Sequence, residues 1–150
     1  MRKNHKKWMK FALREGEKAF DEGEVPIGAV VIHNNQIIGK GHNQRETLRD
    51  PTAHAEMIAI TAASNYLNDW RLEECVLYVT KEPCQMCVGA IINSRIEKVI
   101  FGCYDEGEGY CGSLNQICSD PQFSHQISVR GGILEEECRS LLVSFFKSKR

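Results

Sequence analysis

The sequence has 150 residues, of which 42% are hydrophobic and 26% are charged, and its formal net charge is −1. This length suits one domain with a substantial buried core, and the composition is ordinary for a globular protein. No apolar run is long enough to cross a membrane and no signal-peptide pattern is present. We therefore expect a single domain, residues 1–150, that works in the cytoplasm and binds no membrane.

The charge distribution and the cysteine count bear on the possible partners of the protein and on the redox state of its thiols. Basic residues are concentrated at the two ends, namely Arg2, Lys3, Lys6, Lys7, Lys10, Lys147, Lys149 and Arg150. Such ends could bind a polyanion or could simply be solvated. The seven cysteines are an odd number in a chain that needs no cross-links, so we expect reduced thiols. Cys75 and Cys138 lie in strand and helix patterns and are predicted to be buried.

Hydrophobic periodicity predicts alternating helices and strands. A helix over 5–22 is followed by a hairpin, with strands over 27–32 and 36–40 joined at His33-Asn34-Asn35. The next elements are a helix over 50–63 capped by Asp50 or Thr52, a strand over 76–80, a helix over 84–93, strands over 96–101 and 127–130, and a helix over 134–147. The glycine-rich segment 102–112 is predicted to be an exposed loop near the site. This order predicts an α/β fold, a three-layer α/β/α sandwich in which one mixed sheet carries helices on both faces.

Two short motifs predict a metal site. His54-Ala55-Glu56 is followed about thirty residues later by Pro83-Cys84-Gln85-Met86-Cys87. One imidazole and two thiolates are good zinc ligands, and three protein ligands leave a coordination position open for water, as in catalytic zinc sites. Both motifs are predicted at helix N-termini, where unpaired backbone N–H groups favour thiolates. Glu56 is then placed to move the protons of that water.

The cysteine pair by itself is ambiguous. Cys84-x-x-Cys87 also fits a redox pair or half of a structural zinc knuckle. A structural site needs a fourth ligand, which Cys103, Cys111 or His125 could supply, although none has a partner at knuckle spacing. The histidine-glutamate motif upstream favours the catalytic interpretation. Iron could replace zinc because histidine and cysteine bind several metals.

At these motifs the chain resembles the zinc-dependent cytidine and nucleobase deaminase superfamily, and within it the tRNA adenosine deaminases. The matching stretches are residues 25–29, 41–43, 50–56, 77–80, 82–87, 94–96, 101–102, 112–114, 132–134 and 145–146. The zinc motif indicates only the superfamily. Ser94-Arg95-Ile96, Gly112-Ser113-Leu114 and Phe145-Phe146 point to the tRNA branch.

The resemblance implies a cytidine-deaminase-like fold and a homodimer that converts adenosine to inosine at the wobble position of a tRNA anticodon stem-loop. It also implies specific residue roles: His54, Cys84 and Cys87 as ligands of one zinc ion per subunit, Glu56 as proton shuttle, and Asn43, Ile27, Ala55 and Asp105 as the lining of a pocket for a flipped nucleoside. Asn43 could equally be a turn residue that bonds its own backbone.

Some features leave alternatives open. The loop after Asp105 carries Glu106 and Glu108, and two acids at an RNA-binding rim would repel phosphate. A deaminase of free guanine, cytosine or a nucleotide would share the zinc motif, and a zinc-stabilised RNA-binding module would need no proton shuttle. Met86, Ile91 and Ile92 suit a dimer face, but core packing explains them equally well.

Overall fold

The computed structural model describes residues 4–149, in which five helices accompany one five-stranded sheet. The elements are α1 (His5–Asp21), β1 (Gly28–His33), β2 (Gln36–His42), α2 (Arg45–Leu48), α3 (Ala55–Leu67), β3 (Val76–Lys81), α4 (Gln85–Asn93), β4 (Lys98–Cys103), β5 (Ser128–Arg130) and α5 (Glu135–Ser148). Of the basic ends singled out above, Arg2, Lys3 and Arg150 lie outside the described residues.

The sheet is mixed, with strand order β2-β1-β3-β4-β5. β1 pairs antiparallel with β2 and β3, whereas β3, β4 and β5 run parallel to one another. Alternate residues of β1 are buried on opposite faces: Ala29 and Val31 pack with α3 and α4, and Val30 and Ile32 pack with α1 and α5. A strand that is covered on both faces has a continuous run of apolar residues in its sequence. The predicted three-layer α/β/α sandwich is confirmed.

Helix α3 lies directly on the backbone of β2 because the strand has glycines where the helix crosses it. A Cβ atom at Gly41 would overlap the carbonyl oxygen of Ala55, and one at Gly39 would overlap that of Ala59. Ala63 completes this interface of small residues and is fully buried. The position of α3 along the strand is thereby fixed, and with it the position of the residues at the start of the helix.

The prediction that this helix begins at Asp50 is wrong. Helix α3 begins at Ala55, with His54 as its N-cap residue, and continues to Leu67. The Asp50 carboxylate instead closes a turn, accepting hydrogen bonds from the Thr52 backbone N–H at 2.8 Å and hydroxyl at 2.7 Å. Short polar side chains compete with helical hydrogen bonding in this way. The preceding short helix α2 was not predicted.

Helix α3 also ends four residues later than predicted, whereas the remaining boundaries differ by at most two residues. The hairpin turn consists of Asn34 and Asn35, both with positive φ (50° and 60°), as a type I′ turn requires, rather than three residues. Segment 102–112 is not uniformly exposed as predicted, because Gly102, Gly109 and Cys111 are among its buried members. The predicted burial of Cys75 and Cys138 is confirmed. All seven cysteines lie in the described range, and none of them forms a disulfide there.

Two further observations bear on partners. Ile91 is fully buried and Ile92 is nearly so, and both belong to the core between the sheet and the helices. Core packing therefore accounts for the apolar character of Ile91 and Ile92. Met86, the third residue considered for a dimer face, is partly exposed. Within residues 4–149, no helix has the length and apolar character needed to span a membrane.

Candidate metal centre and active site

The motif residues meet because two helices begin at the same place. His54 is the N-cap residue of α3 and Cys84 is the N-cap residue of α4. Both residues have extended backbones, and neither side chain caps its own helix. Cys87 lies in the first turn of α4 and is fully buried. Since N-terminal N–H groups favour nearby negative charge, this location suits thiolates.

The three side chains have the spacing of a metal site. His54 Nδ1 lies 3.7 Å from Cys84 Sγ and 3.5 Å from Cys87 Sγ. Zn–S and Zn–N bonds at a tetrahedral angle place nitrogen and sulfur about 3.6 Å apart, so the ligand set fits a zinc ion. Within the described residues this trio is the only group of three or more potential ligand side chains close enough to hold an ion.

The three candidates for a fourth ligand are occupied elsewhere. Cys103 donates to the Thr80 carbonyl at 3.5 Å, and the Cys111 sulfur lies 3.6 Å from that of Cys118. The His125 ring contacts the Ile96 carbonyl at 2.7 Å. The arrangement therefore keeps a coordination position free, which distinguishes catalytic from structural zinc sites.

The protonation state of the trio also suits a cation. Hydrogen bonds from the Cys87 thiol and the His54 ring lower the pKa of Cys84 to about 3, against the opposing effect of burial. The pKa of Cys87 is raised, because its thiol donates to Cys84 and is itself buried. The cluster thus carries a thiolate ready to bind, and metal binding would displace the remaining thiol proton.

Glu56 lies beside this trio in the first turn of α3 and is only 4% exposed. Burial raises the pKa of its carboxyl group, and the charge of His54 only partly offsets that effect. A carboxyl group with a raised pKa can both accept and donate a proton near neutral pH. Its environment therefore suits general acid–base chemistry.

His54, Cys84 and Glu56 line a cavity of about 210 Å³, and the buried Cys87 lies behind its wall. The lining residues are Val25, Ile27, Asn43, Arg45, His54, Ala55, Glu56, Lys81, Glu82, Cys84, Glu108 and Phe146. Ile27, Asn43 and Ala55, which the resemblance assigned to a nucleoside pocket, line the same cavity as His54, Cys84 and Glu56. A concave, partly apolar site with a few convergent polar groups is the usual form of a small-molecule pocket.

Two predicted pocket residues are engaged by other groups. The Asn43 amide nitrogen donates to the Val25 carbonyl at 3.3 Å, so its side chain bonds the backbone while lining the cavity. Asp105 is not in the lining, and its carboxylate forms an ion pair with Lys81 at 2.9 Å. Burial acts to raise the pKa of Asp105, but the hydrogen bond and charge of Lys81 outweigh it and hold the pKa below its usual value.

Sequence reasoning missed several cavity residues. Arg45, the adjacent Lys81 and Glu82, and Glu108 come from three separate segments, and no spacing rule connects these segments. For Glu82 there was a signal, namely a charged residue directly between an apolar strand and Pro83-Cys84. Phe146 belongs to the Phe-Phe pair of the resemblance, and its half-exposed ring reaches the cavity from α5.

The chain is similar to known deaminases. Residues 3–131 match the family described as MafB19-like deaminase. The relative named tRNA-specific adenosine deaminase from Bacillus subtilis (strain 168) is 49% identical over 143 residues, covering 95% of this chain and 89% of that protein. A solved structure from studies of A-to-I editing by tRNA:A34 deaminases at the wobble position of transfer RNA has a TM-score of 0.85 and 36% identity, covering 91% of this chain and 99% of that one. A guanine deaminase structure from Bacillus subtilis has a TM-score of 0.65 and 38% identity, covering 68% of this chain and 66% of that one. The chain therefore belongs to the deaminase superfamily and, within it, to the family of tRNA-specific adenosine deaminases.

Proposed function

We propose that this chain, acting as one domain, converts adenosine to inosine at the wobble position of a tRNA anticodon, with one zinc ion held by His54, Cys84 and Cys87. The observation that carries the proposal is that three ligand atoms lie together, and that two of their side chains, His54 and Cys84, line one cavity with the buried Glu56. When bound, zinc lowers the pKa of a water ligand to about 7 and so supplies a nucleophile near neutral pH. This function would place the protein in the cytoplasm with its tRNA substrate.

The protons of the reaction are moved by Glu56. Its carboxylate takes a proton from the attacking water and delivers it to the ring nitrogen beside C6. After attack at C6, the same group transfers a second proton from the new hydroxyl to the amino group, which leaves as ammonia. Burial raises the pKa of Glu56 and thereby stabilises the protonated form that these two transfers require.

The nucleoside is held by the walls of the cavity. Ile27 and Ala55 provide apolar surface for a purine ring, and the backbone contacts of Asn43 fix its amide at the edge of the cavity. A direct contact between Asp105 and the nucleoside stays a prediction, because its carboxylate is held by Lys81. A base must leave its stack to enter such a pocket, which costs less in an anticodon loop than in a duplex.

The surroundings of the cavity favour an RNA substrate over a free base. Arg45 and Lys149 are exposed cations close to the cavity mouth, and Phe146 presents an exposed ring there. Cations bind phosphates and aromatic rings stack on unpaired bases, which is a common mode of RNA recognition. Glu106 and Glu108 act against phosphate binding, and Glu108 lines the same cavity, so RNA contacts are expected at Arg45, Lys149 and Phe146 rather than at these two acids.

The function is tested with an anticodon stem-loop transcript incubated with zinc-loaded protein. Adenosine at the wobble position is expected to be read as guanosine after reverse transcription and sequencing, because inosine pairs like guanosine. A transcript with adenosine at another loop position is the matched control and is expected to stay unchanged. Ammonia release from guanine or cytosine without stem-loop conversion would contradict the proposal and support a free-base deaminase. RNA binding without either reaction would support a zinc-stabilised binding module.

We propose further that the protein is a homodimer that uses the outer face of α3. This face is apolar although it points away from the sheet: Met57, Ile58 and Ala62 are only partly covered and line a shallow depression with the exposed Leu48. A helix that is hydrophobic on all sides is normally buried on all sides. A second copy of the chain is an occupant that would bury this face.

The dimer is tested by placing a charge on that face. Thr61→Arg puts a long cation at an exposed position of the depression, so the sedimentation mass is expected to fall from two chains to one. Ser140→Arg, at an exposed position of α5, is the matched control and should leave the mass unchanged. A dimer that persists with Thr61→Arg would exclude this face as the interface.

A further inference from the structure

A buried carboxylate lies next to the metal trio and has no assigned role. Glu82 follows the last residue of β3, precedes Cys84 by two positions, and is 1% exposed. Burying an ionised carboxylate is costly unless several donors satisfy it. In the described part of the chain its hydrogen bonds all come from one loop and none from a lysine or arginine. That loop comprises residues 104–113 and is called the 104–113 loop below.

The two oxygens of Glu82 hold different parts of the loop. Oε1 accepts from the Asp105 backbone N–H at 3.0 Å and from the Ser113 hydroxyl. Oε2 accepts from the backbone N–H groups of Cys111 at 3.0 Å and Ser113 at 2.9 Å. One side chain therefore fixes both the beginning and the end of the loop. Hydrogen bonds to a charged group are stronger than those between neutral groups.

The backbone around Glu82 completes this arrangement. The Glu82 N–H donates to the Cys103 carbonyl at 2.9 Å, and the Tyr110 N–H donates to the Pro83 carbonyl at 2.9 Å. A Cβ atom at Gly109 would overlap the Glu82 carboxyl group, so the loop can pass this close only because a glycine stands there. The loop is thus wrapped around the segment that carries the ligand Cys84.

The loop in turn supplies groups to the cavity. Glu108 lines the cavity wall, and Asp105 pairs with Lys81, which lines it as well. We propose that Glu82 is a positioning residue for substrate binding, whose carboxylate holds the 104–113 loop so that Glu108 and Lys81, which is paired with Asp105, form the outer wall of the nucleoside pocket. This inference rests on the proposed function, because it assumes that the cavity receives the nucleoside.

The difference between the two oxygens allows a selective test with Glu82→Gln. If the amide oxygen takes the place of Oε2, it still accepts from Cys111 and Ser113, but the amide NH₂ then faces the Asp105 N–H. Two donors repel each other, so the beginning of the loop is released while its end stays held. We therefore expect amide hydrogen exchange at Asp105 to become about tenfold faster, with smaller changes at Cys111 and Ser113.

The kinetic consequence follows from the location of the loop. No residue of the 104–113 loop is a metal ligand or the proton shuttle. Glu82→Gln should therefore weaken substrate binding more than it slows the chemical step. For the stem-loop substrate we expect KM to rise about tenfold while kcat changes less than about threefold and metal content stays at one ion per chain. Glu97→Gln removes the same charge from an exposed site and should leave KM, kcat and the exchange pattern unchanged.

Ser113→Ala provides a second, milder variant if Glu82→Gln does not fold. It removes only the hydroxyl donor to Oε1, so both the exchange at Asp105 and KM should rise about two- to threefold. A folded variant with wild-type exchange at Asp105 and wild-type KM would overturn the proposal. If the wild-type protein converts no stem-loop but exchange at Asp105 still accelerates in Glu82→Gln, the proposed function fails whereas the positioning of the loop by Glu82 is supported.

Discussion

Glu56→Gln is expected to lower kcat for stem-loop deamination by about 10²- to 10⁴-fold, the usual contribution of a general acid–base group. The amide has nearly the same shape, but it cannot accept a proton from water and return it to the base. Because the carboxyl group is buried and burial raises its pKa, the neutral amide fits the same environment. Single-turnover kinetics with a wobble-adenosine stem-loop would measure the loss, while RNA affinity and metal content are expected to stay at wild-type values.

The control for this variant is Glu17→Gln, which makes the same change at an exposed position of α1. It should retain full turnover. Undiminished turnover in Glu56→Gln would contradict the assignment of Glu56 as the proton shuttle. A variant that loses RNA binding along with turnover would point to a structural role for Glu56, since the proposed role affects chemistry alone.

Cys84→Ala is expected to lower zinc affinity by more than about 100-fold, since even residues that only support a metal ligand contribute 10- to 100-fold. The change removes the sulfur whose pKa is lowest in the trio, and with it the thiolate that attracts the cation. Metal analysis after dialysis against a competing chelator would measure the loss. Deamination should fall in parallel.

Cys138→Ala is the matched control, because Cys138 is also a buried cysteine but belongs to the core beneath α5. It is expected to keep one metal ion per chain under the same dialysis. Equal metal retention by Cys84→Ala would contradict the ligand assignment. Equal metal loss by Cys138→Ala would mean that the assay reports general destabilisation and not loss of a ligand.

The layered fold was predictable because it depends on local patterns. The apolar run in β1 indicates a strand covered on both faces, and Asn34-Asn35 has the residue type that a tight hairpin turn requires. The motif histidine and cysteines were also predictable, since helix N-termini and short spacings place them. What local patterns missed was the start of α3, because the Asp50 side chain satisfies a turn and withdraws that segment from the helix.

The outer wall of the cavity could not be read from the sequence, because it is made of contacts between distant segments. The Lys81–Asp105 pair joins a strand end to a loop 24 residues later. The hydrogen bonds of Glu82 reach up to 31 residues along the chain. Such contacts depend on how the ends of the parallel strands β3 and β4 are aligned in the sheet. Hydrophobic periodicity in the sequence does not predict this alignment.

The packing of α3 on Gly39 and Gly41 has a consequence for how mutations would be mapped. The helix rests on strand backbone at Ala55 and Ala59, so any added side chain at Gly39 would push the helix outward or along its axis. His54 and Glu56 would move with it, although they lie about 8 and 5 Å from Ala59 along the helix. In a genetic screen for lost activity, substitutions at Gly39 would therefore be grouped with those at the metal ligands, and a phenotype that looks catalytic would originate in a residue without a side chain.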